Sequence, residues 1–324
     1  MKSLLLIGAT LSLFFSFCCL NSSAQEKPVV KDVKVKIKQE KHLALDTAAI
    51  ENITKIKGKF NNGEYKITIP QNDLSVEVDG FNIIPPMGLS TWVGFTPASE
   101  GAMIMGDIVL IENDLKAVQQ EVIAQGLTIT AIHNHFIRNH PNIIYMHIGG
   151  MGKSDELAQK VKSVLDKIAQ SRGHNPSANA VADVAYTIDS KKLDQILGYK
   201  GEMSKGVYKY TIGRPDVQLK EHGITVTSFL GFNTWAAFQG SPEHAAVAGD
   251  FAMLENEVAP VIKTLIENGI EVVAVHNHMV HEQPKIFFLH YWGVGNAEQL
   301  AKGLRAALDK TGKQKTEQAG KMKM

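Results

Sequence analysis

Two short stretches carry the side chains best suited to chemistry: AIHNHF at 131–136 and AVHNHM at 274–279. Each sets two histidines around an asparagine, and each is followed by a later histidine, His147 or His290. Six of the chain's 12 histidines fall in this one feature. Alternate side chains of a strand point to one face, so His133 and His135 sit about 6.5–7 Å apart on the same side, and Asn134 takes the other. If the hairpin that follows is centred on residue 140, His147 lies opposite His133 and three imidazoles face one space. Three neutral imidazoles suit zinc or a similar divalent ion. The competing reading is a satisfied polar network, because each buried ring needs partners for two nitrogens.

The candidate metal ligands are therefore His133, His135 and His147, with His276, His278 and His290, one His-rich site in each copy of the motif. The strand that holds them is apolar on both faces and reads as central and buried, with Ile129 and Ala131 on the face of His133. A carboxylate would complete a catalytic site. Glu100 and Glu243, in polar loops, are the freest to act. Asp107 and Asp250 follow a glycine within a strand and read as turn or bulge residues. Glu112 and Glu255 read as helix N-terminal acids favoured by the dipole. Trp92, Phe95, Trp235 and Phe238 read as core at strand spacing, with an aromatic ligand wall as the alternative. Asn134 is expected to hydrogen-bond the layer behind the strand.

Several chemistries are excluded. The two cysteines, Cys18 and Cys19, lie in the N-terminal apolar segment, so the chain from Gln25 has no thiolate nucleophile, disulfide or Cys-based metal site. There is no HExxH, GxSxG or phosphate-binding GxxxxGK(S/T) pattern. A net charge of +1, from 34 basic and 33 acidic residues, argues against nonspecific nucleic-acid binding. The triplet is contiguous in an apolar strand, unlike the dispersed residues for which the HNH nucleases are named.

The elements that must position these residues come as a duplication. Shifted by 143 residues, 46–166 align with 189–309 without a gap, with 37 identities in 121 positions. Within each copy, Asp46 or Asp189 caps a short helix ending near residue 57 or 200. Short alternating strands follow, then an apolar strand, a helix opened by Glu112 or Glu255 and closed at Gly126 or Gly269, the histidine strand, a partner strand and an amphipathic helix. The second half of each copy thus reads ββαββα. Short connections favour antiparallel pairing, so the fold class is α+β: two copies, each a mostly antiparallel sheet with helices packed on it, a ferredoxin-like form among the options, related by a pseudo-two-fold. Residues 1–24, with Lys2, an apolar Leu4–Leu20 run and Ser22-Ser23-Ala24, read as a signal peptide cleaved before Gln25. No membrane span is then expected after cleavage, and the protein is periplasmic or secreted. A lipid anchor at Cys18 or Cys19 is the weaker reading, because Phe17 occupies a position where a lipobox prefers a small residue. A Lys-rich arm (25–45), a linker (167–188) and a polar tail (310–324) complete the organisation.

The paired pattern of Gly106-Asp107, Glu112-Asn113, Gly126, His133-Asn134-His135, Pro141 and His147, with partners 143 residues later, resembles the family of bacterial exported proteins and lipoproteins typified by mycobacterial LppY and LpqO. That family is a domain of unknown function. The resemblance implies export and a two-copy architecture, and it supplies no reaction. The leading expectation is an exported protein that binds a divalent metal or small molecule. The alternatives are a metal-dependent or histidine-based enzyme, and a non-catalytic envelope module with structural histidines and an unknown envelope partner.

Overall fold

The computed structural model describes residues 44–99, 101–174 and 182–312. The signal peptide, nearly all of the Lys-rich arm, Glu100, part of the linker and nearly all of the polar tail lie outside the described residues. In the first copy α1 (Thr47–Thr54) precedes β1 (Lys59–Asn61), β2 (Glu64–Pro70), β3 (Val76–Val78), β4 (Phe81–Ile83), β5 (Ser90–Ala98), β6 (Gly101–Ile111), α2 (Glu112–Ala124), β7 (Thr128–His133), β8 (Asn139–His140), β9 (Ile143–Gly152) and α3 (Ser154–Arg172). The second copy repeats that order as α4 (Ser190–Leu197), β10 (Glu202–Ser204), β11 (Val207–Gly213), β12 (Lys220–Glu221), β13 (Ile224–Thr225), β14 (Asn233–Gly240), β15 (Ala245–Leu254), α5 (Glu255–Glu267), β16 (Glu271–His276), β17 (Glu282–Gln283), β18 (Ile286–Gly295) and α6 (Ala297–Leu308).

Each copy is an antiparallel six-stranded sheet, β1-β2-β5-β6-β9-β7 or β10-β11-β14-β15-β18-β16, so the α+β reading holds. Taken from β6, the run β6-α2-β7-β9-α3 with β5 on the far side of β6 is a circularly permuted ferredoxin-like unit. The caps follow the sequence. Asp46 Oδ1 accepts from Ala49 N, and Asp189 from Lys191 N and Lys192 N. Gly126 and Gly269 take the positive φ, 67° and 72°, that ends α2 and α5. The first helices stop at Thr54 and Leu197, earlier than expected.

Strand alternation sorts side chains into two layers. On β6, Ile104, Ile108 and Leu110 join Phe95, Val118 and Val161 in a core under the first copy's helices. The second copy has an equivalent core around Phe238, Phe251, Leu265 and Leu304. Both phenylalanines flagged in the sequence are therefore core. The opposite faces of the two sheets pack on each other. There, residues of both copies mix in two further clusters, one around Phe81, Met87, Phe136 and Trp292, the other around Met105, Leu230, Met279 and Phe288. The layering is helix, sheet, sheet, helix, and the histidines lie between the sheets.

The copies also clasp one another through short 3-10 turns, Pro85–Met87 and Ser228–Leu230. Ser228–Leu230 covers β2 and β5: Lys66 Nζ donates to Phe229 O at 3.1 Å, and Thr227 donates to Glu64 at 2.6 Å.

Candidate metal centre

The histidine strand is not central. β7 and β16 are sheet edges, and Ile132 and Val275 are 45% and 46% exposed. One face of the strand meets the other sheet, and the face toward the helices is only half covered at Ile132 and Val275. The strand also ends at His133, leaving His135 on the turn that follows. The register pairs Ala131 with His147 and His133 with Tyr145, so the hairpin centre lies one residue before the expected position. That moves each partner by two, parity is kept, and the three imidazoles of each copy do share a face. A bulge between Ile129 and Ala131 then reverses the face of Ile129, which packs against the helix-side core instead of beside His133. Asn134 points away from the histidines, but it does not bond a layer behind. Its Nδ2 donates to Ile143 O at 3.0 Å, and Asn277 to Ile286 O at 3.1 Å, each closing the turn onto the start of the next strand.

The expectation of a self-contained site in each copy is corrected by the way the two faces meet. Every imidazole of one copy lies against one of the other. The His133 and His276 rings stack 3.9 Å apart, His135 lies 3.7 Å from His290, and His147 lies 4.0 Å from His278. The pattern maps onto itself under the pseudo-two-fold, with His133 and His276 at its centre. Three groups of potential ligand atoms lie within 4.8 Å of one another: His133, His276 and His290; His147, His276 and His278; and Asp107, His133 and His147. Two of the three mix the copies, because the sheets pack face to face with these rows in contact.

The carboxylates beside the imidazoles are Asp107 and Asp250; of the two glutamates first favoured, Glu100 lies outside the described residues. Glu243 is exposed at the β14–β15 turn. Asp107 and Asp250 are regular strand residues, directly across from His147 and His290 in the ladder, and only 4% and 2% exposed. Asp107 Oδ2 is 3.4 Å from His135 Nε2, and Asp250 Oδ2 is 3.5 Å from His278 Nε2. Their sequence signal was a duplicated acid at the middle of a fully apolar strand, a place where a carboxylate needs a partner.

The hydrogen bonds of the rings identify their free nitrogens. His147 Nδ1 is 3.1 Å from Gly106 O and His290 Nδ1 is 3.1 Å from Gly249 O. A carbonyl only accepts, so each Nδ1 carries the proton and Nε2 keeps its lone pair. That outer bond fixes tautomer and orientation in the manner of metal-bound histidines. His147 Nε2, His133 Nδ1, His278 Nδ1 and both nitrogens of His276 are buried without a hydrogen-bond partner. Burial holds His133, His135, His276, His278 and His290 well below the usual imidazole value, and His147 below it, with repulsion among neighbouring rings adding to the effect for most of them. Neutral imidazole is the ligating form. Burial raises the carboxyls of Asp107 and Asp250.

A cavity of about 560 Å³ opens onto the centre, lined by His135, His147, His278, His290, Asp107 and Asp250. Its walls carry Trp92 and Trp235, so the tryptophans, unlike the phenylalanines, do face ligand space. Lys66 and Lys209 cover them, each ammonium 4.1 and 4.2 Å from its indole ring. Sequence reasoning missed these lysines. Their signal was a lysine repeated at the same point of two strands, beside Tyr65 and Tyr208. The arrangement can hold a cation among neutral nitrogens and carboxylates, and it leaves open space beside it.

Comparison with solved structures returns the crystal structure of EtuB from Clostridium kluyveri, at 10% identity over 79% of this chain and 90% of that one, with a TM-score of 0.18. It also returns a trimeric bacterial microcompartment shell protein, PduB, at 11% identity over 79% and 89%, with a TM-score of 0.20. Superposition that loose carries no argument here. No curated protein matches the chain. The family described as Domain of Unknown Function (DUF1259) matches residues 48–167 and again 191–310, the two copies in turn. The chain belongs to that family, with two copies of its domain in tandem.

Proposed function

We propose that the protein binds a divalent, nitrogen-preferring metal ion, zinc or a similar one, in the centre shared by the two copies. The observation that carries this reading is the set of buried imidazole nitrogens without partners, two of the rings already oriented by backbone carbonyls. A structural network would have satisfied those nitrogens, since leaving a buried polar group unpaired costs about 1–3 kcal/mol. An exported location accompanies the proposal. It is supported by the signal-like residues 1–24 and by the resemblance to the LppY and LpqO proteins, with cleavage before Gln25 preferred to a lipid anchor at Cys18 or Cys19. Metal analysis of the protein made without a histidine tag tests the reading. Stoichiometric zinc or a similar ion is expected, and its loss on His133→Ala with His276→Ala. Absence of metal after exposure to each candidate ion would overturn it.

A metal-dependent enzyme is the second reading. It is favoured by the cavity that reaches four of the imidazoles together with Asp107 and Asp250. A bound cation there would supply Lewis acidity and activation of water. Of the chain's own residues, Asp107 and Asp250 are placed within 3.5 Å of a ring nitrogen, where a carboxyl can accept or return a proton.

A further inference from the structure

The cavity's upper wall contains a feature the metal centre does not need. Lys66 on β2 and Lys209 on β11 are duplicates of one another, and both line the space above the imidazoles. Among the described residues Lys209 Nζ makes no hydrogen bond or ion pair, and it lies over the Trp235 ring at 4.2 Å. Lys66 donates a single bond, to Phe229 O. An ammonium has three donors, so most of the donating capacity of this pair is unspent. Burial brings both lysines down to about 8, and the charge of Lys66 is also felt by Lys209, so the two ammoniums act on a common space. Each ammonium lies over an indole ring, a cation–π contact that holds the head group in place. Two like charges in a partly enclosed space are stabilised by an anion between them.

We propose that this cavity takes a small oxyanion, a carboxylate or a phosphate, gripped by Lys66 and Lys209 with the rest of the ligand directed toward the imidazole centre. The proposal rests on the metal reading for the ligand's inner contact, and on the lysines for its charge. The pseudo-two-fold arrangement favours an anionic group that offers acceptors in two directions, which both carboxylate and phosphate do. Asp107 and Glu64 already act on the charge of Lys66, whereas Lys209 has no ion-pair partner among the described residues, and a neutral molecule would leave it without one.

The test uses the full chain, with metal content measured on every sample. Calorimetric titration in a low-salt buffer is run with inorganic phosphate in one series and succinate in another. Saturable binding of either anion is expected, and the series that binds identifies the source chemistry. Lys66→Met with Lys209→Met should weaken it at least about ten-fold at unchanged metal content, while Lys66→Arg with Lys209→Arg retains most of it. Methionine keeps a side chain of similar length and removes a buried charge, so the double variant should melt no lower than the parent. Lys209→Met alone serves if the double variant does not fold. Metal-loaded protein that binds neither anion, or a methionine variant that binds as tightly as the parent, overturns this inference and leaves the metal reading intact. Protein that takes up no metal from any candidate ion yet still binds anion through the lysines overturns the metal reading and leaves the anion site standing.

Discussion

His276→Leu separates a ligand from a structural side chain in one experiment. The His276 ring is stacked on His133 and within about 5 Å of His278 and His290, and both of its nitrogens are buried without partners. In the metal-free protein a neutral imidazole there keeps one donor and one acceptor unsatisfied, at about 1–3 kcal/mol each. Leucine removes both groups at similar volume. Against that stand the lost ring contacts, about 0.5–1.5 kcal/mol, and imperfect packing of the new side chain, usually below about 1.5 kcal/mol. The balance favours the variant by about 2 kcal/mol. At roughly 2–4 °C per kcal/mol for a chain of this size, its melting temperature in chelator should rise by about 4–8 °C. Excess zinc should reverse the order, because the parent gains about 4 kcal/mol at a thousand times Kd and the variant gains little. Differential scanning calorimetry in chelator and in zinc reads both arms. A variant that melts below the parent in chelator would show that the imidazole is structural, and the reasoning would fail.

Arg172, 1% exposed at its side chain, holds Asp114 at 2.8 Å and Asp73 at 3.2 Å. Arg172→Ala should cost about 3 kcal/mol by taking the guanidinium from two buried carboxylates, which keep only Ile111 N and the exposed His174, read as a shift in the urea midpoint. Acid should destabilise the metal-free protein. Five imidazoles held well below 6.5 by burial take up protons only on unfolding, from about pH 6.5 downward, while Asp107 and Asp250, raised by burial, favour protonation in the folded state. The imidazoles outnumber the carboxyls, so unfolding takes up net protons and stability falls as the pH drops below about 6.5; a flat profile of unfolding free energy against pH would contradict this. Gly88 has φ 106°, and a Cβ on it would stand 2.9 Å from the Trp235 ring. Gly88→Ala should therefore cost about 1–3 kcal/mol in backbone strain and shift the tryptophan emission, and an unchanged spectrum would count against that contact.

The duplication, the element order and the shared face of the three histidines were legible because they rest on periodicity and on a direct repeat. The bulge at Ile129–Ala131 was not, because an extra residue in an edge strand leaves no compositional trace. The edge position of β7 was hidden for a related reason: its outer residues, Ile132 and Val275, are apolar though half exposed. The union of two sites into one was out of reach, since nothing local reports which face of a sheet meets the other copy. Asp107 and Asp250 were visible but misassigned. A glycine before an acid in a strand suggests a bulge, whereas here a Cβ on Gly106 would stand 2.8 Å from Trp92 O, and the acid pairs across the ladder with His147.

The shared centre also gives the duplication a physical rationale. A ligand set drawn from both sheets is complete only when the copies are held face to face, and covalent linkage makes that an intramolecular event. Linkage also frees the two ends of the pseudo-axis to differ. At one end Arg138 makes paired bonds to Asp79 and to Glu271 of the other copy, and Trp292 Nε1 donates to Asp79. At the other end the equivalent positions are His222 and His281, whose rings lie 4.5 Å apart beside Glu221. Two identical chains could not place an arginine clamp at one end and a histidine pair at the other. The asymmetry lies outside the six central histidines and the duplicated Asp107 and Asp250, which keep their identity in both copies. Most aligned positions differ between the copies, so the retention of this inner set stands out, and on the proposed reading it is where both copies answer to the same ligand.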